Sequence, residues 1–86
     1  MLKLADTVSI KRDESNYIFF DNSNGDIYKL NEISYKILSL CDGRTTNEDI
    51  LFIITKEFNV TEQEAKKDFE ALIQKLLNKK YIYDNE

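Results

Sequence analysis

The stretch GDIYKLNEIS, residues 25–34, joins a predicted strand directly to a predicted helix, with no loop between them. Ile27 and Tyr28 are β-branched and aromatic residues of the kind that favour strands. Asn31 is a preferred residue at the position that caps the start of a helix. We therefore predict a strand over residues 26–30 in which Tyr28 and Leu30 face the core and Ile27 and Lys29 face outward.

Two further strands are predicted before this stretch. Val8 and Ile10 alternate with polar residues, a pattern typical of a half-buried strand. The aromatic and β-branched run at residues 17–20 favours a second strand. Asn24-Gly25 is a strong signal for the turn that would return the chain as the third strand. The first third of the chain therefore predicts a three-stranded antiparallel sheet.

Three helices are predicted after the sheet, because apolar residues then recur at three- and four-residue intervals. The residues expected to cap their starts are Asn31 for the first, Thr45 with Glu48 for the second, and Thr61 with Glu64 for the third. Asp42-Gly43 is expected to end the first helix. A last short extended segment is predicted at residues 81–83. We expect residues 1–86 to form a single α+β domain with a winged-helix-like arrangement.

The composition argues against several classes of activity. The 86 residues carry a net charge of −4 and include no histidine, the commonest general acid–base and a common metal ligand. The single cysteine, Cys41, excludes an internal disulfide and a cysteine-based metal cluster, and its place on an apolar helix side predicts a buried thiol. No glycine-rich phosphate loop or nucleophile motif is present. We predict no catalytic residue, no metal site and no cofactor.

The N-terminal segment lacks the apolar core of a signal peptide, and no apolar run approaches the length that spans a bilayer. We therefore expect a cytoplasmic protein without a membrane partner. The third predicted helix carries five lysines, which leaves a winged-helix DNA-binding regulator as an alternative: Lys66, Lys67, Lys75, Lys79 and Lys80. Acidic residues are interleaved with these lysines, so a solvated helix is the favoured interpretation. A plain interaction or dimerisation domain is a third possibility.

Residues 25–50, GDIYKLNEISYKILSLCDGRTTNEDI, and residues 65–82, AKKDFEALIQKLLNKKYI, resemble the PqqD-like proteins. This family is named for the peptide chaperone of pyrroloquinoline-quinone biosynthesis, and it supplies recognition elements for many ribosomally made, modified peptides. The residues that carry the resemblance are Leu30-Asn31, Asp42-Gly43, Thr45 and Asp68. The chain departs from the pattern at Lys80, where the family commonly has a glycine.

The resemblance implies a non-catalytic chaperone that binds the leader of a precursor peptide and delivers it to a maturation enzyme. That enzyme would be a radical S-adenosylmethionine enzyme or a leader protease, and nucleic acid would not be a partner. In this family the leader adds as a strand to the open edge of the third strand and lies against the third helix. The peptide-binding residues expected on this basis are Asp26, Ile27, Tyr28 and Lys29 of the strand, and Asp68, Ala71, Leu72 and Lys75 of the helix.

Overall fold

A computed structural model describes residues 1–84 as five strands and three helices. In chain order these are β1 (Leu2–Leu4), β2 (Val8–Asp13), β3 (Asn16–Asp21), β4 (Asp26–Leu30), α1 (Glu32–Ser39), α2 (Asn47–Phe58), α3 (Glu62–Asn78) and β5 (Ile82–Asp84). The predicted α+β class and the predicted order of the three helices are confirmed.

The main sheet is an antiparallel meander in the order β2–β3–β4, as the sequence predicts. A two-residue turn at Glu14 and Ser15 joins β2 to β3, and Glu14 adopts a left-handed backbone with φ of 55°. The turn from β3 to β4 ends at Gly25, whose φ of 81° suits a residue without a Cβ. These tight turns fix the strand register, which pairs Phe19 with Tyr28.

A second, two-stranded sheet was not predicted in full. β1 pairs antiparallel with β5, and Leu4 lies opposite Ile82. The sequence predicts the three-stranded sheet, which is confirmed, and an extended segment near β5, but it predicts no strand at Leu2–Leu4. A three-residue strand is too short to show an alternating pattern, and its partner lies at the other end of the chain.

The hydrophobic core lies between the main sheet and the helices. Its largest fully buried side chains are Phe19, Ile37, Leu38, Ile50 and Ile54. Helix α3 adds a buried stripe at the predicted spacing, made of Ala65, Phe69, Ile73 and Leu76. Burying one such large side chain contributes about 1.5–3 kcal/mol, so these contacts hold the helices on the sheet. The core thereby fixes which face of α3 lies toward the edge of β4.

The starts of the helices are capped by polar side chains. Asn31 Oδ1 accepts a hydrogen bond of 2.7 Å from Ser34 N, and Thr61 Oγ1 accepts one of 3.1 Å from Glu64 N, at the caps the sequence predicts. Asn31 follows β4 directly, so this cap turns the chain from the sheet edge into α1 without a loop.

The cap of α2 is one residue later than predicted. Thr46 Oγ1 accepts a hydrogen bond of 3.1 Å from Asp49 N, so the capping residue is Thr46 and not Thr45. Thr45 is occupied elsewhere, because its backbone N–H donates to Asp42 Oδ1 at 3.0 Å and its hydroxyl contacts the same carboxylate. The Asp42 turn therefore decides which of two adjacent threonines starts the helix.

Candidate functional site

Strand β4 lies at the edge of the main sheet and pairs only with β3 within residues 1–84. Two hydrogen bonds show toward which neighbouring strand the backbone groups of successive β3 residues point. Asn22 N donates to Thr7 O at 2.8 Å, toward β2, whereas Asp21 O accepts from Gly25 N at 2.8 Å, toward β4. Backbone groups alternate in direction along a strand. The N–H and C=O groups of odd-numbered residues of β3 therefore point toward β4, and those of even-numbered residues point toward β2.

This alternation identifies the free backbone groups at the open edge. Phe19 lies opposite Tyr28, so the N–H and C=O groups of Tyr28 face β3. Those of Ile27 and Lys29 then point away from the sheet. Within the described part of the chain no strand covers them. An extended peptide therefore has two residues with which to pair.

A cavity of about 200 Å³ lies beside this edge, between β4 and α3. Its lining comes from β3 and β4, from α3 and from the segment after α3: Phe19, Tyr28, Lys29, Leu30, Leu72, Lys75, Leu76, Lys79 and Tyr81. The three lining residues of α3 and its C-cap residue, Lys79, follow three- and four-residue spacing and so share one helix face. We call this cavity and the adjoining edge of β4 the β4–α3 groove.

Aromatic rings form one wall of the groove. The ring of Phe19 lies 5.0 Å from that of Tyr81 and 6.0 Å from that of Tyr28, centroid to centroid. The Tyr81 hydroxyl donates to the Asp21 carboxylate, and this bond raises the pKa of Tyr81. The Tyr28 hydroxyl donates to Asp26 Oδ2 at 3.2 Å. These bonds hold the polar tips of both tyrosines, which leaves ring surface to face a ligand.

Lysines surround the groove. Lys29, Lys75 and Lys79 line it, and none of the three ammonium groups has a carboxylate oxygen within 4.0 Å among residues 1–84. The Asp21 and Asp26 carboxylates accept hydrogen bonds from the tyrosines of the aromatic wall, so the positive charge of the groove is concentrated on its α3 side.

The family model of Coenzyme PQQ synthesis protein D (PqqD) matches residues 16–82, from β3 into β5. The chain belongs to the PqqD family. No curated protein gives a significant match to it.

Two solved structures share the fold of this PqqD-family domain. "TbiB1 in Complex with the TbiA(beta) Leader Peptide" aligns with a TM-score of 0.78 at 21% identity, covering 93% of each chain. "Lasso peptide synthetase B1 complexed with the leader peptide" aligns with a TM-score of 0.79 at 20% identity, covering 95% of this chain and 96% of the other. Both likenesses extend over nearly the full length, which confirms the winged-helix-like fold.

The eight residues expected to bind peptide fall into two sets in the PqqD-family structure. Four line the cavity itself: Tyr28, Lys29, Leu72 and Lys75. The other four, Asp26, Ile27, Asp68 and Ala71, are exposed and lie outside its lining. Ile27 belongs to the open edge by its backbone, and Asp68 lies one turn before Leu72 on α3, so both adjoin the groove.

The sequence analysis missed the C-terminal part of the groove. Leu76 and Lys79 lie one turn beyond Leu72 and Lys75 on the same face of α3, and Tyr81 follows the helix. Extending the predicted stripe by one turn would have identified the two helix residues. The position of Tyr81 depends on how the chain leaves α3, so its sequence pattern alone did not place it in the groove.

A second, larger cavity of about 550 Å³ lies on the outer face of α2, around the exposed ring of Phe52. Its other lining residues are Glu48, Asp49, Leu51, Thr55, Lys56 and Glu62, and all seven belong to α2 or α3. Apart from first-turn N–H groups at the starts of α2 and α3, the backbone groups here are bonded within the helices, so this cavity offers no strand edge to an extended peptide. The β4–α3 groove combines a cavity with free backbone groups, which makes it the better candidate.

The lone thiol is a poor nucleophile. Cys41 is buried, and its thiol donates to Ile37 O at 3.3 Å. Burial, with a smaller contribution from the charge of Asp42, raises the pKa of Cys41 to about 12. Among residues 1–84 no cluster of three or more His, Cys, Asp or Glu side chains is placed to hold a metal ion. Within the same residues, no helix has the length and apolar character needed to cross a membrane.

Proposed function

We propose that this chain is a non-catalytic peptide chaperone that binds the leader of a ribosomally made precursor peptide. The leader adds as a strand to the open edge of β4 and lies in the β4–α3 groove. The observation that carries this proposal is the outward direction of the Ile27 and Lys29 backbone groups beside a cavity with an apolar wall. Membership of the PqqD family supports it, as do the leader peptides in the two solved structures of the same fold.

The affinity in this mode comes from two sources. Each backbone hydrogen bond contributes about 0.5–1.5 kcal/mol net, and the edge offers the N–H and C=O groups of Ile27 and Lys29. An apolar leader side chain buried against Leu72 and the aromatic wall contributes about 1.5–3 kcal/mol. The backbone contacts are open to any extended peptide, so the side-chain contacts decide which peptide is preferred.

In this proposal the chain catalyses no step itself but presents the bound precursor to an enzyme. It holds the leader and delivers the precursor to a maturation enzyme, either a radical S-adenosylmethionine enzyme or a leader protease. An exposed groove suits this role, because one face of an added strand stays open to the enzyme.

Amide hydrogen exchange of the ¹⁵N-labelled chain tests strand addition residue by residue. On adding the precursor leader, the amides of Ile27 and Lys29 are expected to gain protection, since both acquire a partner. The amide of Tyr28 is the internal control, because it already faces β3 and its protection should change little. Protection or chemical-shift changes confined to residues 48–55 of α2, with β4 unaffected, would disprove strand addition.

The arrangement of lysines does not favour the DNA-binding alternative. Lys66 lies about two and a half turns before Lys75, which places the two on opposite sides of α3. The lysines are therefore spread around α3, and acidic residues are interleaved with them, unlike a basic face that follows a phosphate backbone. We expect no sequence-specific duplex binding at physiological salt, measured by fluorescence anisotropy with labelled duplexes. Tight, sequence-dependent binding would favour the regulator instead.

A further inference from the structure

We propose that the β4–α3 groove selects leader segments in which an apolar side chain is flanked by acidic residues. This proposal rests on the proposed function, because it names the class of peptide that the same groove takes. It draws on two features of the groove that strand addition does not need: the apolar cavity and the lysines around it.

The apolar part of the selection follows from the shape and lining of the cavity. Leu72 and Leu76 of α3 face Phe19 and Tyr81 across a space of about 200 Å³. That space suits a single large side chain better than a bulky cluster. In a strand paired with β4, alternate side chains point to the same face, so one of them enters the cavity. A leucine or aromatic residue there removes apolar surface from water on both sides of the contact.

The preference for acidic leader residues follows from lysines that have no carboxylate partner. Lys75 and Lys79 lie on the groove face of α3, each without a carboxylate within 4.0 Å in residues 1–84, whereas the side chain of Lys29 points to the opposite face of the sheet from Tyr28 and Leu30. Residues two positions from the buried leader side chain point to the same face of the leader strand. Carboxylates at those positions would lie beside the lysines that border the cavity.

The expected size of the charge preference is modest. One exposed ion pair changes affinity by about 1.4- to 5-fold, so two pairs change it by about 2- to 30-fold. The preference must weaken at high salt, because these lysines are exposed to solvent. Asp68, one turn before Leu72, is the acidic side chain of α3 nearest the cavity along this face, and it opposes binding of acid at that end of the groove.

Three synthetic peptides test the proposal against the ¹⁵N-labelled chain of residues 1–86. Each is a capped, threonine-rich extended sequence with a central leucine, and the residues two positions before and after the leucine are aspartate, serine or lysine. Affinities are measured from the changes in the amide chemical shifts of Ile27 and Lys29 as each peptide is titrated into the chain. The aspartate peptide is expected to bind about 2- to 30-fold tighter than the serine peptide, and the lysine peptide weakest. Replacing the central leucine by serine is expected to weaken binding.

Matched variants separate the groove lysines from the overall charge. The double variant Lys75→Gln, Lys79→Gln is expected to lose the preference for aspartate over serine. Lys66→Gln is the control, since it removes a lysine from the opposite side of α3 and should keep the preference. Both changes are at exposed positions, where the fold tolerates substitution.

The outcomes distinguish this proposal from the proposed function. Equal affinities of the aspartate, serine and lysine peptides, with shifts at Ile27 and Lys29, would overturn the selection for acid and leave strand addition standing. The selection by the groove lysines would also be overturned if Lys66→Gln abolished the preference and the double variant kept it. Absence of any change at the Ile27 and Lys29 amides with all the peptides would overturn both proposals.

Discussion

Helix α3 ends on a left-handed residue that is not glycine, and this makes Lys80→Gly an informative substitution. Lys80 has a φ of 61°. Its N–H donates to Leu77 O at 3.0 Å, and Tyr81 N donates to Leu76 O at 2.9 Å. These two bonds form a Schellman motif, which favours glycine at the position of Lys80. The departure from the family pattern therefore places a side chain where the backbone disfavours one.

The expected gain is the difference between two opposing effects. A side chain in the left-handed conformation costs about 1–2 kcal/mol, which glycine removes. Glycine also makes the unfolded chain more flexible, which costs about 0.4–1 kcal/mol. The net stabilisation lies between zero and about 1.6 kcal/mol, with a midpoint of about 0.8 kcal/mol. In a domain of this size the midpoint value raises the melting temperature by about 3–6 °C.

Thermal unfolding followed by circular dichroism measures this effect, with Lys79→Gly as the matched control. Lys79 has a φ of −88°, an ordinary right-handed value, so glycine there relieves no strain. Both variants remove one lysine from the same helix end. Lys79→Gly is expected to lower the melting temperature and Lys80→Gly to raise it. A melting temperature of Lys80→Gly equal to or below that of the wild type would refute the reasoning.

Three further predictions concern the core, acid stability and the thiol. Leu76→Ala removes a buried side chain and should cost about 2–5 kcal/mol; an unchanged urea midpoint would place Leu76 outside the core. The pKa of Asp21 is lowered from 3.8, chiefly by the hydrogen bond from the Ser23 side chain, so its contribution to stability is present above that value and is lost as pH falls below it. The stability difference between wild type and Asp21→Asn should therefore shrink in acid, and a constant difference would contradict this. Cys41 should react with a thiol reagent at pH 8 far more slowly in the folded than in the urea-unfolded chain, and equal rates would contradict its burial.

The sequence was informative wherever periodic patterns extend over several turns. The buried stripe of α3, from Ala65 to Leu76, repeats often enough to set the helix phase, and the phase in turn placed Leu72 and Lys75 beside the groove. The Asn24-Gly25 turn correctly predicted the hairpin that makes β4 the last strand of its sheet.

Features that depend on distant or competing interaction partners could not be predicted from local sequence patterns. β1 exists because Leu2–Leu4 meets β5, which lies at the far end of the chain, and no local pattern reports that pairing. Thr45 and Thr46 are equally good caps by type, and the hydrogen bonds of Thr45 to Asp42 settle the choice. Tyr81 reaches the groove through the left-handed turn at Lys80, which is not a residue type that signals such a turn.

The main sheet has two open edges within residues 1–84, and their chemistry explains why β4 is the better template for a peptide. The outer half of β2 carries Lys11, Arg12 and Asp13, all exposed, and charged side chains of this kind discourage pairing of strand edges. β4 carries the exposed apolar Ile27 at its edge, with Lys29 as its single basic residue. Because β4 carries one acidic residue, Asp26, and one basic residue, Lys29, its edge has no net charge to repel an extended peptide, and Ile27 adds apolar surface that an added strand would cover.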